Sequence, residues 1–177
     1  LPRFDKYFNH KSVITNNQIV LFSFEPNEKG NYLIDDKSKF NSFEKEVTKF
    51  HILFAQYCVL NKDYNLVVKT KGSDRAVNYA KKVYSPFIEK LGERLVISSS
   101  LNVSNLIKSS SYIAGFSSTT LIEGLALNKK IICPKFSRSI LKSENDLLYP
   151  YQELGFYILK LSDLVSVFTE DNIINDK

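Results

Sequence analysis

Short apolar runs and amphipathic stretches alternate along the chain. The run "QIVLFSFE" at 18–25 is almost continuously apolar, a pattern typical of a strand buried on both faces. Farther on, Phe43, Val47 and Phe50 recur at spacings of three and four. This spacing predicts the apolar face of a long helix, which Ser42 would cap. The same alternation continues to the end of the chain.

Helical patterns separate six predicted strands, and a polar, glycine-containing loop is predicted at 27–41. Strands that alternate with helices favour a parallel sheet, because each crossover returns the chain in the same direction. We therefore expect an α/β, Rossmann-like parallel sheet of five or six strands with helices on both faces. The predicted strands are 18–25, 64–70, 94–98, 112–115, 130–134 and 156–160.

Several residues mark predicted helix boundaries. Ser73 is expected to cap the helix after the second strand, and Ser85-Pro86 has the form of a new cap followed by a proline in the first turn. Gly92 and Asn128 are residues that tolerate the left-handed backbone with which many helices end.

In a sheet of this kind, ligands bind beyond the carboxyl ends of the strands. The predicted loops at that edge contain many hydroxyls, two glycines and few carboxylates. A rim of hydroxyls, backbone amides and lysines suits an anion, most obviously a phosphate. These loops are 23–26, 70–74, 98–102, 115–120 and 134–139.

The segment "GFSSTTLIE" places four hydroxyls where the fourth strand meets a helix predicted over 120–127. Thr120 as the cap and Glu123 three residues later would form a capping box, which accounts for these two residues. A cap does not need Ser117–Thr119 as well, whereas hydroxyls at a helix start above a parallel sheet form a cradle for phosphate. Capping alone and phosphate binding both stay open at this point.

Composition limits the classes of binding partner that we expect. The chain has 177 residues, a formal net charge of +5 and a pI near 9.0, but no block of five basic residues. We therefore expect no nucleic-acid partner. No apolar run approaches the ~20 residues that span a bilayer. The chain begins with Leu1 and contains no methionine, so we expect a fragment or a processed product.

The two cysteines, Cys58 and Cys133, lie in apolar surroundings. We interpret them as buried thiols in a reducing compartment. Neither has a second ligand at zinc spacing, and His10 and His51 are isolated in the sequence, so no metal site is predicted.

The segment "GFSSTTLIEGLALNKKIICP" resembles a motif of the GT-B glycosyltransferases that make bacterial surface polysaccharides. Groups of this kind include capsule and polysialic-acid transferases and teichoic-acid glycerophosphotransferases. "LPRFDKYF" resembles the segment that joins the two halves of such enzymes, and a strand like "IVLFSFEP" commonly follows it. The resemblance covers roughly 1–135, and its specificity lies in the order and spacing of short motifs.

The resemblance implies the C-terminal, nucleotide-binding lobe of a GT-B enzyme. Residues 1–17 would be an inter-lobe linker and 18–177 the nucleotide-sugar-binding domain, with the N-terminal acceptor lobe absent. The expected activity is transfer of a sugar or polyol phosphate from a CMP-, CDP- or UDP-linked donor to a glycan or lipid-linked acceptor. The other lobe usually supplies the general base, so this chain alone should bind nucleotide without turnover. The implied location is the cytoplasm, and peripheral contact with the inner face of the plasma membrane stays open.

By the same resemblance, the serines and threonines at the helix start hold the donor phosphates. Glu123 accepts hydrogen bonds from ribose hydroxyls, and Lys69 or Lys71 neutralises the leaving phosphate. Other serines line the nucleotide. The implied donor-site residues are Ser23, Lys69, Lys71, Gly72, Ser98, Ser99, Ser117, Ser118, Thr119, Thr120 and Glu123.

The chain departs from the family in one respect. "LVVKTKG" falls where many relatives carry Lys/Arg-Pro-His-Pro, but it has neither the histidine nor the prolines. No role for histidine is carried over, and Lys71 is the candidate catalytic group because an ammonium stabilises a departing phosphate electrostatically. A pair of solvated lysines is the alternative for Lys69 and Lys71. No Asp-x-Asp segment occurs, so neither a metal nor another cofactor is required.

Two other classes of protein stay open. A sugar-nucleotide epimerase has the same two-lobed architecture but would use carboxylates in its cleft, and the predicted rim is poor in them. A non-catalytic nucleotide-binding or scaffold module would not need the hydroxyl cluster. A receiver-like domain would need paired acidic residues after its first strand, where "FSFEP" has a single glutamate.

Overall fold

The computed structural model describes residues 17–26, 39–116, 118–136, 155–158 and 160–175. The predicted linker 1–17 and loop 27–41 lie almost entirely outside the described residues. The strands are β1 (Gln18–Phe22), β2 (Asn65–Lys69), β3 (Leu95–Ser98), β4 (Tyr112–Gly115), β5 (Lys130–Pro134) and β6 (Gly155–Ile158). The helices are α1 (Phe40–Leu60), α2 (Asp74–Tyr84), α3 (Ile88–Leu91), α4 (Val103–Ser109), α5 (Thr119–Leu125) and α6 (Leu161–Asn175).

The six strands form one sheet in the order β3-β2-β1-β4-β5-β6, and every neighbouring pair is parallel. The predicted parallel sheet of five or six strands is confirmed. This strand order is that of a Rossmann fold, in which the chain first builds outward from β1 to β3 and then returns to the other side of β1. The direction of growth therefore reverses between β1 and β4.

Helices cover both faces of the sheet, as predicted. On one face, side chains of α1, α2 and α6 pack on alternate residues of the strands, with Ile19, Leu66 and Phe54 fully buried. On the other face, α4 and α5 cover the intervening residues, such as Val20 and Ile113. Apolar side chains on both faces explain why the strands have near-continuous apolar sequences.

Some of the predicted helix boundaries agree with the structure and others do not. Ser73 caps α2 by accepting a hydrogen bond from the backbone amide of Ala76, as predicted. Gly92 ends α3, as predicted, and Asn128 adopts φ +54° just after the last turn of α5, as expected for a left-handed stop. The predicted cap at Ser42 is wrong, because α1 begins at Phe40 and has no side-chain cap.

The start of α1 is stabilised instead by packing. Phe43 and Val47 are almost wholly buried in the first turns of the helix. The predicted new cap at Ser85 is also wrong. Ser85 ends α2, where its hydroxyl donates to the carbonyl of Lys82, and the following proline lies in a short 3-10 turn.

Candidate functional site

The carboxyl ends of β1 and β4 lie side by side where the strand order reverses. In open α/β sheets, this switch point opens a crevice in which ligands bind, because the loops on its two sides lead away in opposite directions. Here the switch point lies between the segment 23–26, which follows β1, and the turn from β4 into α5, and we call this region the crevice. The residues around it therefore form the candidate site.

Helix α5 lies very close to β4 and β5. A Cβ on Gly124 would lie 2.7 Å from Ile113 Cδ1 and 2.9 Å from Ile131 Cδ1, so both isoleucine side chains would have to shift to admit a larger residue. The close packing fixes the start of α5 directly above the end of β4.

Ser118 is the N-cap of α5. Its Oγ accepts from the backbone amide of Thr120 at 3.4 Å and lies 2.7 Å from the Thr120 hydroxyl. The predicted cap at Thr120 is therefore wrong, since Thr120 is the second residue of the helix. Thr119 is the first helical residue and is exposed. Ser117 lies outside the described residues.

Glu123 does not belong to a capping box, because it is the fifth helical residue and not the third after the cap. That part of the sequence interpretation is corrected. The residue is only 1% exposed. Glutamates are rarely buried to this extent, because removing a carboxylate from water is costly unless the group is paired. Its position is one turn into the helix that starts at the crevice.

On the other side of the crevice, Ser23 is buried and forms a hydrogen bond with a histidine. Its Oγ lies 3.1 Å from His51 Nε2, and His51 Nδ1 lies 2.8 Å from the carbonyl of Val47. Burial lowers the pKa of His51 to about 4, so the ring is neutral at pH 7. Because the carbonyl can only accept, Nδ1 carries the proton, and the Ser23 hydroxyl donates to Nε2. Ser23 can therefore offer a ligand only its lone pairs.

The lysine and serines predicted at the ends of β2 and β3 contact each other. Lys69 Nζ donates to the carbonyls of Thr70 at 2.7 Å and Ser99 at 2.9 Å, and burial lowers its pKa. Ser98 Oγ accepts from the amide of Ser100. These contacts tie the two strand ends together. Lys71 and Gly72 follow on an exposed loop.

The predicted site residues therefore fall into two groups. Ser23 and Ser118 adjoin the crevice between β1 and β4, and Glu123 lies one turn into the helix that starts there. Ser98 is the last residue of β3 and Ser99 follows it. In the sheet, β3 is three strands away from β4 and, at ~4.8 Å per strand, about 14 Å distant. A single ligand contacts both groups only if it extends across the ends of β1 and β2.

The sequence interpretation did not predict that four phenylalanines, among them Phe43 of the predicted helix, meet at the crevice. Phe24 follows β1, Phe116 follows β4 and Phe136 follows β5, and the ring centroids of Phe24 and Phe116 are 4.8 Å apart. Phe136 lies 5.0 Å from Phe116 and 5.3 Å from Phe43 of α1. We call these four rings the aromatic cluster. Three of these rings follow strands and the fourth, Phe43, belongs to α1. Apolar contact therefore holds together strand ends that are distant in sequence.

The described residues contain no group of three or more His, Cys, Asp or Glu side chains arranged to hold a metal. Burial raises the pKa of both Cys58 and Cys133 to about 12, so the thiols stay protonated and unreactive at neutral pH. Among the described helices, none is both long enough and apolar enough to cross a bilayer.

No model of a known protein family matches the sequence, and no curated protein matches it by sequence. Solved structures do resemble the fold. E. coli heptosyltransferase WaaC with ADP-2-deoxy-2-fluoro heptose has a TM-score of 0.52 and 10% identity, covering 97% of this chain and 47% of WaaC. S. aureus MnaA, solved with UDP, has a TM-score of 0.56 and 14% identity, and the match covers 92% of this chain and 40% of MnaA.

The C-terminal domain of LpcC, a glycosyl transferase group 1 family protein from Francisella tularensis, has a TM-score of 0.51 and 13% identity, covering 89% of this chain and 75% of that domain. At these identities the likeness concerns the fold alone. It confirms the Rossmann-like fold expected from the resemblance to GT-B glycosyltransferases. The chain spans less than half the length of the WaaC and MnaA structures.

Proposed function

We propose that this chain is the donor-binding lobe of a GT-B glycosyltransferase that transfers a sugar or polyol phosphate in bacterial surface polysaccharide synthesis. The observation that carries the proposal is the position of buried Glu123, one turn into a helix that starts at the switch point of a Rossmann sheet. The likeness in fold to solved structures that hold ADP-2-deoxy-2-fluoro heptose or UDP agrees with this assignment.

In this proposal the start of α5 binds the donor phosphates. Three features of this helix start favour negative charge: the backbone amides of the first turn, the positive end of the helix dipole, and the hydroxyls of Ser118 and Thr119 as possible hydrogen-bond donors. Ser117 and Thr120 belong to the same proposed contact region. Glu123 accepts hydrogen bonds from the ribose hydroxyls, because a carboxylate is an acceptor for two neighbouring donors.

Transfer also requires stabilisation of the leaving phosphate. Lys71 lies on the exposed loop after β2, where a long side chain bearing an ammonium group has the reach to approach bound phosphate. Lys69 is the weaker candidate for this role, since its ammonium already donates to two carbonyls. The proton of the acceptor goes to a base supplied by the second lobe, which also binds the acceptor.

Calorimetry with CMP, CDP, UDP, GDP and ADP tests the proposal. We expect at least one of them to bind the chain. Glu123→Gln should weaken the binding free energy of that nucleotide by roughly 1–3 kcal/mol, the range for a lost charged hydrogen-bond partner. The exposed Glu93→Gln is the matched control and should bind like the wild type. Absence of binding by all five nucleotides would contradict the proposed function, and unchanged affinity in Glu123→Gln would remove that residue from the site.

A further inference from the structure

A carboxylate after β1 has hydrogen-bonding capacity that the described part of the chain does not use. Glu25 is the third residue beyond β1, at the edge of the crevice, and its side chain is only 17% exposed. Its Oε2 is buried and accepts no hydrogen bond from any described residue. Each carboxylate oxygen has about two acceptor positions, and leaving those of a buried oxygen such as Oε2 empty is costly.

The ion pair of Glu25 does not satisfy this capacity. Arg75 Nε lies 3.5 Å from Glu25 Oε2, without the geometry of a hydrogen bond, and the arginine side chain is 56% exposed. Arg75 instead directs its Nη2 to the carbonyl of Pro26 at 2.6 Å. The guanidinium therefore anchors the segment after β1 to the first turn of α2. It holds the carboxylate in place and balances its charge, but leaves its lone pairs available.

A second unsatisfied atom lies at the neighbouring strand end. Thr70 Oγ1 is the only other buried side-chain oxygen or nitrogen without a hydrogen-bond partner among the residues that the structure describes. Thr70 follows β2, and the preceding Lys69 carbonyl accepts from the Ser23 amide, so the two strand ends adjoin. Unsatisfied polar atoms are rare in folded proteins and are informative where they cluster. Here both lie at the carboxyl edge shared by β1 and β2.

We propose that Glu25 binds the hydroxyls of the transferred sugar or polyol, with Arg75 as its positioning residue. The inference rests on the proposed function and adds the subsite for the transferred group. A carboxylate only accepts, so it repels phosphate and selects a ligand rich in donors. Its charge is already balanced by Arg75, which favours a neutral polyol over a cation. The proposed phosphate site at α5 lies across the crevice, so the two ends of one donor would face the two sides.

The test compares each nucleotide with its sugar conjugate on the same variant. The probes are UDP with UDP-glucose and CDP with CDP-glucose, measured by calorimetry on the 177-residue chain. Glu25→Gln keeps the size of the side chain and loses the charge. We expect the affinity for the conjugate to fall about tenfold, as for a weakened charged hydrogen bond, while the affinity for the free nucleotide stays within about twofold. Arg75→Met should give a conjugate-specific loss in the same direction, and Glu89→Gln, which is exposed, should give none.

The outcomes separate the two proposals. If none of the five nucleotides CMP, CDP, UDP, GDP and ADP and neither conjugate binds the wild-type chain, the proposed function and this inference both fail. If another of these nucleotides binds but UDP, CDP and their conjugates do not, only the inference fails. If nucleotides bind but Glu25→Gln leaves the ratio of the two affinities unchanged, only the inference fails. An equal loss of affinity for nucleotide and conjugate would mean that the carboxylate contacts the nucleoside. A lower melting temperature with an unchanged ratio of affinities would mean that it stabilises the fold. Either result would also overturn the inference.

Discussion

Ser118 makes two contacts that hold the first turn of α5 together. Its hydroxyl accepts from the amide of Thr120 and lies within hydrogen-bond distance of the Thr120 side chain. The sequence predicted a hydroxyl cap at this helix, but it could not select which hydroxyl, because Ser and Thr are both favoured at caps and several are adjacent. The close approach at Gly124 sets where the helix must start, and that contact depends on two strands that are distant in sequence.

Variants of Ser118 should separate capping from ligand binding. Ser118→Ala removes the cap and should lower the free energy of unfolding by ~1 kcal/mol. Ser118→Asp keeps a capping oxygen and adds a charge that the helix dipole favours, so stability should be retained. The same charge repels phosphate, so nucleotide binding should be lost. Urea unfolding and calorimetry on both variants provide the measurement. Nucleotide affinity that is retained in Ser118→Asp would contradict phosphate binding at this helix.

His51 makes stability depend on pH. Its pKa is lowered from 6.5 to about 4 in the folded chain, so the unfolded chain binds the proton more tightly. The contribution to stability is therefore fully present above pH 6.5 and is lost as the pH falls from 6.5 toward 4. Linkage gives a loss of about 2 kcal/mol between pH 7.5 and pH 5.

His51→Gln, which does not titrate, supplies the reference for this effect. The loss between pH 7.5 and pH 5, measured by urea unfolding, should be about 2 kcal/mol smaller in the variant than in the wild type. Equal losses in the two proteins would show that His51 is protonated in the folded state or is exposed to solvent.

At the scale of elements, the strands were predictable and the helix starts were less so. A strand buried on both faces needs apolar residues at successive positions, so β4 and β5 appear in the sequence with their observed bounds. The start of α1 at Phe40 depends on how Phe43 and Val47 pack on the other three rings of the aromatic cluster. That contact involves residues after β1, β4 and β5, which no local pattern contains.

The carboxyl end of α1 depends on an arginine from a different element. The last turn of α1 contains no basic residue. Arg94, which precedes β3, directs its Nη1 to the carbonyls of Cys58 at 2.7 Å and Tyr64 at 3.2 Å. These bonds satisfy an orphan carbonyl at the helix end and join it to the start of β2.

Arg94→Met keeps most of the aliphatic stem and removes these donors. We expect a loss of about 2 kcal/mol in the free energy of unfolding, within the range for hydrogen bonds to a charged group. Lys90→Met, at an exposed position in α3, is the control and should change stability by less than ~0.5 kcal/mol. A similar, small change in both variants would show that solvent satisfies the helix end equally well.

At the scale of the whole molecule, the strand order decides which predicted residues meet. The sequence predicted the rim, because each hydroxyl loop follows a strand. It did not predict that Ser98 and Ser99 lie three strands from the start of α5, since alternation of strands and helices fits several strand orders. Nor did it predict that Ser23 pairs with His51, 28 residues away. In the sequence Glu25 is only the single glutamate of "FSFEP" at the end of the first predicted strand, and its burial without a hydrogen bond to Oε2 is what distinguishes it.

The chain as a whole should bind a nucleotide without transferring a sugar. In the proposed function, the phosphate and ribose contacts all lie on this lobe, and the acceptor and the general base belong to a second lobe. A nucleotide at 100 times its dissociation constant should stabilise the chain by about 2.7 kcal/mol. For a chain of this size, that corresponds to a rise in melting temperature of roughly 5–10 °C. Thermal unfolding with and without the nucleotide that binds in calorimetry measures this shift.

Product analysis with the matching nucleotide sugar and a glycan acceptor should detect no transfer, because proton removal from the acceptor is missing. Transfer by the isolated chain would place the base among its own residues, and Glu25→Gln would then be the first variant to assay for turnover.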